Sequence, residues 1–329
     1  MLSILIVSWN VRELLRQCLL SLARYPATHS AQEIIVVDNA SQDGSVDMLQ
    51  VEFPHVQVIT NSVNRGFTGG NNDGLKSVGR KAMGDGRWAW GEEDLTPHAL
   101  RSSPYVLLLN PDTEVTPGAL DALLDYAQAH PDVGLIGPQL RYPDGSVQSS
   151  RRRFPTLLTG LFESTWLQSV APGHSMDHYY MRDQADTQTQ DVDWVVGAAM
   201  LVWQEVITQV GVLDEDRFFM YSEETDWCKR IKDAGWRVVY HPTSVIVHHE
   251  GQSSKQISGR RMLLFNTSKA RYFAKHHGKV TAQIVRICLL AQFAWQMALE
   301  NGKWLLGNQR PMRQERMQAY WTVIRSGLR

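Results

Sequence analysis

Apolar and polar positions in the first half of the chain switch between two periods. Ser3–Ser8, Glu33–Val37, Val56–Thr60 and Pro104–Leu109 are short, mostly apolar runs that read as buried strands. Between them, Val11–Tyr25 sets Leu14, Leu15, Cys18, Leu19 and Leu22 at helical spacing, and Val46–Phe53 and Gly69–Val78 begin further helices. Strands and helices alternating at this spacing predict βαβ units, hence an α/β protein with a mostly parallel sheet flanked by helices.

Residues 79–103 break the rhythm. They are rich in glycine and charge, contain Trp88 and Trp90, and read as an inserted surface loop. Beyond it, Pro117–His130 is predicted as a helix with proline at its start. Leu135–Leu140 and Val147–Ser150 form a predicted hairpin around Asp144-Gly145. Phe154–Thr189 has no period and is expected to be an irregular, mobile loop beside the site. Val192–Trp203 is apolar around a Gly-Ala-Ala centre. Thr225–Ala234 is a short helix closed by Gly235, and Arg237–Tyr240 and Ser244–His248 are separate strand pieces.

The texture then changes. Gly259–His277 and Arg313–Ile324 read as basic helices. Lys279–Trp304 reads as a long helix with Ile284, Ile287, Cys288, Ala291, Ala294, Trp295, Ala298 and Leu299 on one side. Arg286, Gln292, Gln296 and Glu300 interrupt it, so it is not expected to cross a bilayer. The division is therefore 1–255 as the α/β domain, with 79–103 inserted, and 256–329 as a basic amphipathic helical extension.

Charge sharpens this division. The net charge of −1 hides 14 Lys and Arg against Glu300 and Glu315 from Gly251 to Arg329, a net of +12, so the first 250 residues carry −13. A basic, aromatic-rich extension on an acidic body points to an anionic membrane surface rather than nucleic acid. Three cysteines without a paired short spacing exclude a disulfide framework or zinc ribbon and fit a reducing compartment. The opening run Leu2–Val7 lacks the features of a cleavable export signal.

Three strand ends carry the candidate chemistry. Asn110-Pro111-Asp112 follows Tyr105–Leu109, Glu223-Glu224-Thr225-Asp226 follows Phe218–Tyr221, and His248-His249-Glu250 follows Val238–Val247. Ligands collect at strand ends in open α/β sheets. A carboxylate for a divalent cation, a second one to take a proton, and a histidine on the same edge make a metal-assisted transfer site. His249 competes with His248 for the ligand role. Asp38, before Asn39-Ala40-Ser41-Gln42-Asp43-Gly44, can accept hydrogen bonds from a base imide or ribose, while Ser41 or Asp43 caps the next helix. Asn64-Arg65-Gly66-Phe67-Thr68-Gly69-Gly70-Asn71-Asn72 offers a glycine-rich helix start to a phosphate, or is simply a turn. No Gly-x-Gly-x-x-Gly follows the first strand, which disfavours a nicotinamide oxidoreductase.

Taken in order, Ile6-Val7-Ser8-Trp9-Asn10, Val37-Asp38-Asn39-Ala40-Ser41, Asn64-Arg65-Gly66-Phe67, Leu109-Asn110-Pro111-Asp112-Thr113 and Phe218-Phe219-Met220-Tyr221-x-Glu223 resemble glycosyltransferase family 2, and within it the bacterial rhamnosyltransferase-like group. The likeness runs over roughly residues 1–255. It implies a GT-A-type nucleotide-sugar fold and inversion at the anomeric carbon. It further implies a nucleotide-sugar donor, dTDP-L-rhamnose in this group, and a lipid-linked or polysaccharide acceptor in cell-surface glycan synthesis. A UDP-sugar donor and a non-catalytic nucleotide-sugar-binding protein are the alternatives.

Matched residue by residue, Ser8, Asn10, Asp38, Asn64, Arg65, Gly66, Asn71, Asn110 and Asp112 fall on the donor side. Asn110 replaces the first acid of the family's Asp-x-Asp, leaving Asp112 to hold Mg2+ or Mn2+ together with His248, whose His-x-x-Gly setting ends at Gly251. The general base falls on Glu224 where the family has Asp, with Asp226 as the neighbouring candidate. Trp194 and Gly197 match the acceptor-side segment, for which a packed core strand is the alternative. Arg152, within Arg151-Arg152-Arg153, is expected to meet the donor diphosphate or the lipid phosphate of the acceptor, with a solvated charge run as the alternative. The implied location is cytoplasmic, peripheral on the inner face of the plasma membrane.

Overall fold

A computed structural model describes residues 1–83, 104–163, 165–250, 258–307 and 309–329. The strands are β1 (Leu2–Ser8), β2 (Gln32–Asp38), β3 (Gln57–Thr60), β4 (Tyr105–Leu109), β5 (Thr113–Val115), β6 (Val133–Arg141), β7 (Arg151–Arg152), β8 (Gln190–Asp191), β9 (Trp194–Val195), β10 (Ala199–Trp203) and β11 (Arg237–His248). The helices are α1 (Arg12–Arg24), α2 (Ser45–Glu52), α3 (Gly66–Met83), α4 (Ala119–Ala129), α5 (Leu157–Phe162), α6 (Gly173–Tyr179), α7 (Gln204–Val210), α8 (Glu223–Asp233), α9 (Ser258–His276), α10 (Gly278–Leu305) and α11 (Arg310–Ser326).

One mixed sheet runs in the order β3-β2-β1-β4-β10-β6-β11-β5, with β8 also on β11. Strands β3, β2, β1 and β4 are parallel; β10 is antiparallel to β4 and β6, and β5 to β11. Apolar side chains on both faces of β1 and β4 are buried, as a sheet layered between helices requires. Leu15, Cys18, Leu19 and Leu22 of α1 join Ile4, Ile6, Val36, Leu107 and Leu109 in the main core. Helix α3 lies directly on β1: a Cβ at Gly74 would stand 2.0 Å from Leu5 Cδ1, and one at Gly70 would stand 2.6 Å from Val7 Cγ1. The register then sets Ser8 beside Asp38 and Ile6 beside Leu109, so β1, β2 and β4 end on one edge.

The structure departs from the sequence reading in several places. Helix α3 continues to Met83, so residues 79–83 are helical rather than loop; 84–103 lie outside the described residues, as does Gly251. The turn at Asp144-Gly145 is present, but its second arm reaches β6 only through the Arg141–Val147 bridge, and β7 pairs with β9 instead. Phe154–Thr189 is not irregular throughout, since it contains α5, a 3-10 turn at Trp166–Val170 and α6. The two expected strand pieces are one strand, β11. Its register slips between His241 and Val245, where Pro242 has no N–H for the ladder.

The chain divides into two compact units. The first comprises Met1–Phe154, Tyr180–Glu215 and Glu223–Ser253; the second comprises Pro155–Tyr179, Asp216–Ser222 and Ser254–Arg329. The second unit is therefore more than a terminal extension. Its core gathers Phe218, Tyr272, Phe273, Val285, Leu289, Phe293 and Val323. Buried Lys269 ties the α5 segment into it, donating to the Glu163 carbonyl at 2.9 Å and pairing with the Glu163 carboxylate at 3.2 Å.

Helix α10 packs Ala282, Val285, Leu289 and Phe293 inward and leaves Val280, Ile284, Ile287, Trp295, Leu299 and Leu305 exposed. The groups expected to interrupt its apolar side are largely tucked away: Gln292 and Glu300 are buried, Glu300 pairs with Arg313, and Arg286 donates to the Gly327 carbonyl. By length and composition alone, then, α10 does reach what a membrane span needs, with a mean hydropathy of 1.3 over 18 residues of which 22% are buried.

Candidate active site

The edge formed by the ends of β1, β2 and β4 carries most of the predicted donor-side residues. Ser8 and Asp38 face each other across the β1–β2 ladder, both buried. Asp38 Oδ2 accepts the Ser41 N–H at 3.0 Å, whereas Asp38 Oδ1 and Ser8 Oγ have no hydrogen-bond partner among the described residues. Two orphaned buried oxygens at one strand edge are the kind of groups a bound ligand satisfies. Asn10, in the left-handed region at φ 52°, joins the two loops: its N–H donates to Ser41 Oγ at 3.0 Å and its Oδ1 accepts the Gln42 N–H at 2.7 Å. Neither Ser41 nor Asp43 is the helix cap: that position is Gly44, in left-handed backbone at φ 80° and without a side-chain cap bond. Asp43 closes the turn before it, accepting the Ser45 N–H and hydroxyl on one oxygen and the Arg12 N–H on the other. Burial works against its charge, yet these bonds hold its carboxyl below the ordinary range.

The Asn64–Asn72 stretch is built differently from a phosphate cradle. Asn64 Oδ1 accepts the Gly66 N–H, Asn71 donates back to the Phe67 carbonyl of its own helix, and Gly66 accepts from Asn39 Nδ2 at 2.8 Å. The Arg65 guanidinium is committed to two carboxylates, Asp73 at 2.5 Å and Glu215 at 2.7 Å. Gly70 serves close helix–strand packing. Arg65, Asn71 and Gly66 thus each have a partner within this edge, which holds the stretch in shape. Asn72, which the sequence did not single out, clamps the Leu213 backbone through both its amide atoms.

The Asn110–Thr113 turn is closed by Thr113 Oγ1 donating to the Asn110 carbonyl at 2.8 Å, and the Asn110 N–H donates to the Ala198 carbonyl. Behind it lies Cys18, whose thiol burial pushes up to about 12, an inert core group. Asp112 and His248 are both buried, with Nε2 3.4 Å from Oδ1. Strand β11 pairs with β5 in register His248 to Thr113, which brings them together. His249 is occupied elsewhere, its Nε2 2.7 Å from Glu114 Oε1.

His248 Nδ1 lies 2.8 Å from Gln148 Oε1, an atom that can only accept, so Nδ1 carries a proton and Nε2 is the ring nitrogen turned toward Asp112. Two lone-pair atoms at this separation suit a shared cation, because ligands about 2.1 Å from an ion at right angles are about 3 Å apart. Among the described residues no group of three or more His, Cys, Asp or Glu could hold a metal. Asp112 and His248 thus fit an ion that takes its remaining ligands from substrate oxygens or water. Gln148 was not anticipated; it lies in the arm after the Asp144-Gly145 turn, where nothing in the sequence marks it.

The carboxylates of α8 separate clearly. Tyr221 and Ser222, just before the helix, both adopt left-handed backbone (φ 71° and 65°), a strain of about 1–3 kcal/mol each that sets the helix start. Glu223, Glu224 and Asp226 occupy the first turn, where the helix dipole favours acids. Asp226 is sealed in the core and paired with Arg230 at 2.9 Å. Glu223 is buried, and burial together with neighbouring Glu224 pushes its carboxyl well above the ordinary range. Glu224 is half-buried and faces Gly197: a Cβ there would be 3.6 Å from Glu224 Cβ and 3.5 Å from Phe67 Cζ. Gly197 in turn leads through Ala198 to Asn110.

Trp194 is buried and donates Nε1 to the Arg153 carbonyl. Arg152 pairs with it across the β7–β9 ladder and lies 4.5 Å from the Tyr180 ring and 5.8 Å from the Trp194 ring. The segment is a packed strand up to Val195, and Gly197 beyond it leaves space for no more than a Cβ beside Glu224 and Phe67.

The comparisons with known proteins agree with this geometry. A family model described as "Glycosyltransferase like family 2" matches residues 2–263. The chain is 30% identical over 251 residues to N-acetylglucosaminyl-diphospho-decaprenol L-rhamnosyltransferase of Mycobacterium tuberculosis, covering 76% of this chain and 77% of the relative. It is 26% identical over 232 residues to low-salt glycan biosynthesis hexosyltransferase Agl10 of Haloferax volcanii, covering 70% and 61%. Among solved structures, the mannosyltransferase PcManGT of Pyrobaculum calidifontis with GDP-Man and Mn2+ superposes with a TM-score of 0.55 at 14% identity, over 99% of this chain and 84% of that one. GalNAc-T7 with UDP, GalNAc and Mn2+ superposes with 0.53 at 13% identity, over 83% and 50%. At these identities the structural likeness speaks to fold alone, the GT-A fold that the motifs implied.

Proposed function

Since the chain belongs to glycosyltransferase family 2, in its rhamnosyltransferase-like group, we propose that it transfers rhamnose from dTDP-L-rhamnose to a lipid-linked or growing glycan acceptor, with inversion. The observation that carries this reading is the Asp112–His248 pair, two lone-pair atoms 3.4 Å apart at the strand edge that also holds the orphaned oxygens of Ser8 and Asp38. Asp38 and Ser8 take the nucleoside. Asp112 and His248 would hold Mg2+ or Mn2+, which would supply positive charge to offset that of the departing nucleoside diphosphate. Glu224 accepts the proton of the acceptor hydroxyl as its oxygen bonds to the anomeric carbon from the face opposite the leaving group. One displacement inverts the centre, so no nucleophilic carboxylate is needed. The acceptor sugar approaches Glu224 on the side of Gly197, and Trp194 and Arg152 flank it.

We further read the exposed apolar side of α10 as lying in the headgroup region of an anionic membrane, with the net +12 of the C-terminal residues adding attraction. Peripheral attachment at the cytoplasmic face would bring the enzyme to a lipid-linked acceptor.

The test is a thermal-shift panel of nucleotide sugars with Mn2+ or Mg2+, followed by transfer to a lipid-diphospho-N-acetylglucosamine acceptor. Stabilisation by dTDP-L-rhamnose above all others, and rhamnosylated product, are expected. Preference for a UDP-sugar would overturn the donor assignment. Donor binding without turnover on any acceptor would make the protein a binder.

A further inference from the structure

We propose that Gln148 is the positioning residue of the cation site and that Glu250 and Tyr142 lock it in that role. This rests on the reading of Asp112 and His248 as cation ligands. Gln148 sits between two groups of fixed polarity. Its Nε2 donates to Glu250 Oε2 at 2.9 Å, and a carboxylate can only accept; this orients the amide. Its Oε1 is thereby turned to His248 Nδ1, 2.8 Å away. The ring therefore holds a proton on Nδ1 and turns Nε2, the atom available to a cation, toward Asp112. A second donor, Tyr142 Oη, reaches the same Glu250 oxygen at 2.9 Å.

The backbone is equally constrained. The Gln148 N–H donates to the Leu140 carbonyl at 2.8 Å, and the turn beneath is closed by Tyr142 accepting from Gly145 and donating to Ser146. Gln148 and His248 are both buried, so water does not compete for the ring nitrogen. The polar order therefore runs Tyr142 to Glu250, Gln148 to Glu250, His248 to Gln148. Reversing the amide would set Nε2 against an Nδ1–H or force the proton to Nε2, where it would block a cation. A histidine ligand whose other nitrogen is held in this way has its ring orientation and tautomer set before the ion arrives.

The test uses full-length protein and Mn2+ alone, with free Mn2+ counted by electron paramagnetic resonance. The arms are wild type, His248→Ala, Gln148→Leu and the exchange Gln148→Glu/Glu250→Gln. The exchange keeps an acceptor opposite Nδ1 and restores a donor–acceptor pair behind it. Gln148→Leu should weaken Mn2+ binding 10- to 100-fold, and the exchange should recover most of that loss. Unfolding temperatures without metal should stay together for these variants; if Gln148→Leu alone unfolds, the exchange variant carries the test. A Gln148→Leu affinity within twofold of wild type, with His248→Ala losing binding, overturns the Gln148 role alone, as does an exchange variant that folds but does not recover. Equal affinity of wild type and His248→Ala overturns the cation site itself.

Discussion

Asp226 and Arg230 form an ion pair one turn apart on α8, Oδ2 to Nε at 2.9 Å, and the same guanidinium donates to the carbonyls of Val210 and Val212. We read Asp226 from this as a structural acid and Glu224, two residues earlier and about 200° around the helix beside Gly197, as the base. Asp226→Asn should lower stability by about 2–3 kcal/mol, below the range for a fully buried pair because Arg230 is partly exposed. Glu224→Gln should keep the unfolding temperature and donor binding while abolishing transfer. Thermal unfolding beside a transfer assay separates the two; loss of transfer without destabilisation in Asp226→Asn would reverse the assignment.

Ser8→Ala removes a buried hydroxyl that has no hydrogen-bond partner among the described residues. The free protein should be unchanged or more stable by about 1 kcal/mol, whereas nucleotide binding should weaken by about tenfold if that hydroxyl meets the ligand. Calorimetric titration with dTDP and UDP reads the second effect, and urea unfolding the first.

Gly197 has room for one methyl group, since a Cβ would meet Phe67 and Glu224 only at ordinary contact distance. Gly197→Ala should fold normally with a raised acceptor KM. Gly197→Val, with two further methyl groups, should lose transfer with its donor affinity retained. Equal acceptor kinetics across the series would remove Gly197 from the acceptor side.

Glu223 links stability to pH. Burial, then the charge of Glu224, raises its folded-state carboxyl well above the ordinary value of 4.5. Below that ordinary value both folded and unfolded chains hold the proton, and the group has no effect. As pH rises from 4.5 toward the raised folded value, the unfolded chain releases its proton first, and folding is progressively disfavoured. Glu223→Gln should therefore gain on wild type as pH climbs from about 4.5 into the neutral range. A stability difference that is flat across pH 4–8 would contradict a buried, proton-holding Glu223.

Ile287 and Trp295 of α10 are 63% and 54% exposed on its apolar side. Ile287→Asp and Trp295→Asp should reduce flotation with anionic liposomes several-fold without disturbing the core of the second unit. Raised salt should weaken binding of the wild type. Recovery in the unbound fraction equal for wild type and variants would end the membrane reading.

Local pattern was sufficient for β1 to β4 with the helices between them, for α4 and for the three C-terminal helices, because apolar period depends on neighbours a few residues apart; it missed β5, three residues long. It also marked Asp112, Glu224 and His248, each lying just past a strand or opening a helix. It misjudged residues 154–189, whose α5 and α6 are too short for a period to register. It could not show that Arg65 pairs with Asp73 and Glu215, since the latter is 150 positions away.

What the sequence by itself determined is the set of elements and the residues able to do chemistry, both products of covalent order and side-chain type. Only the tertiary structure decided their partners. The β11–β5 register sets His248 against Asp112, Arg230 takes Asp226 out of contention, and Gln148 reaches His248 from 100 residues away. Proton position, charge pairing and exposure are properties of neighbours in space, and the sheet, not the chain, makes these residues neighbours.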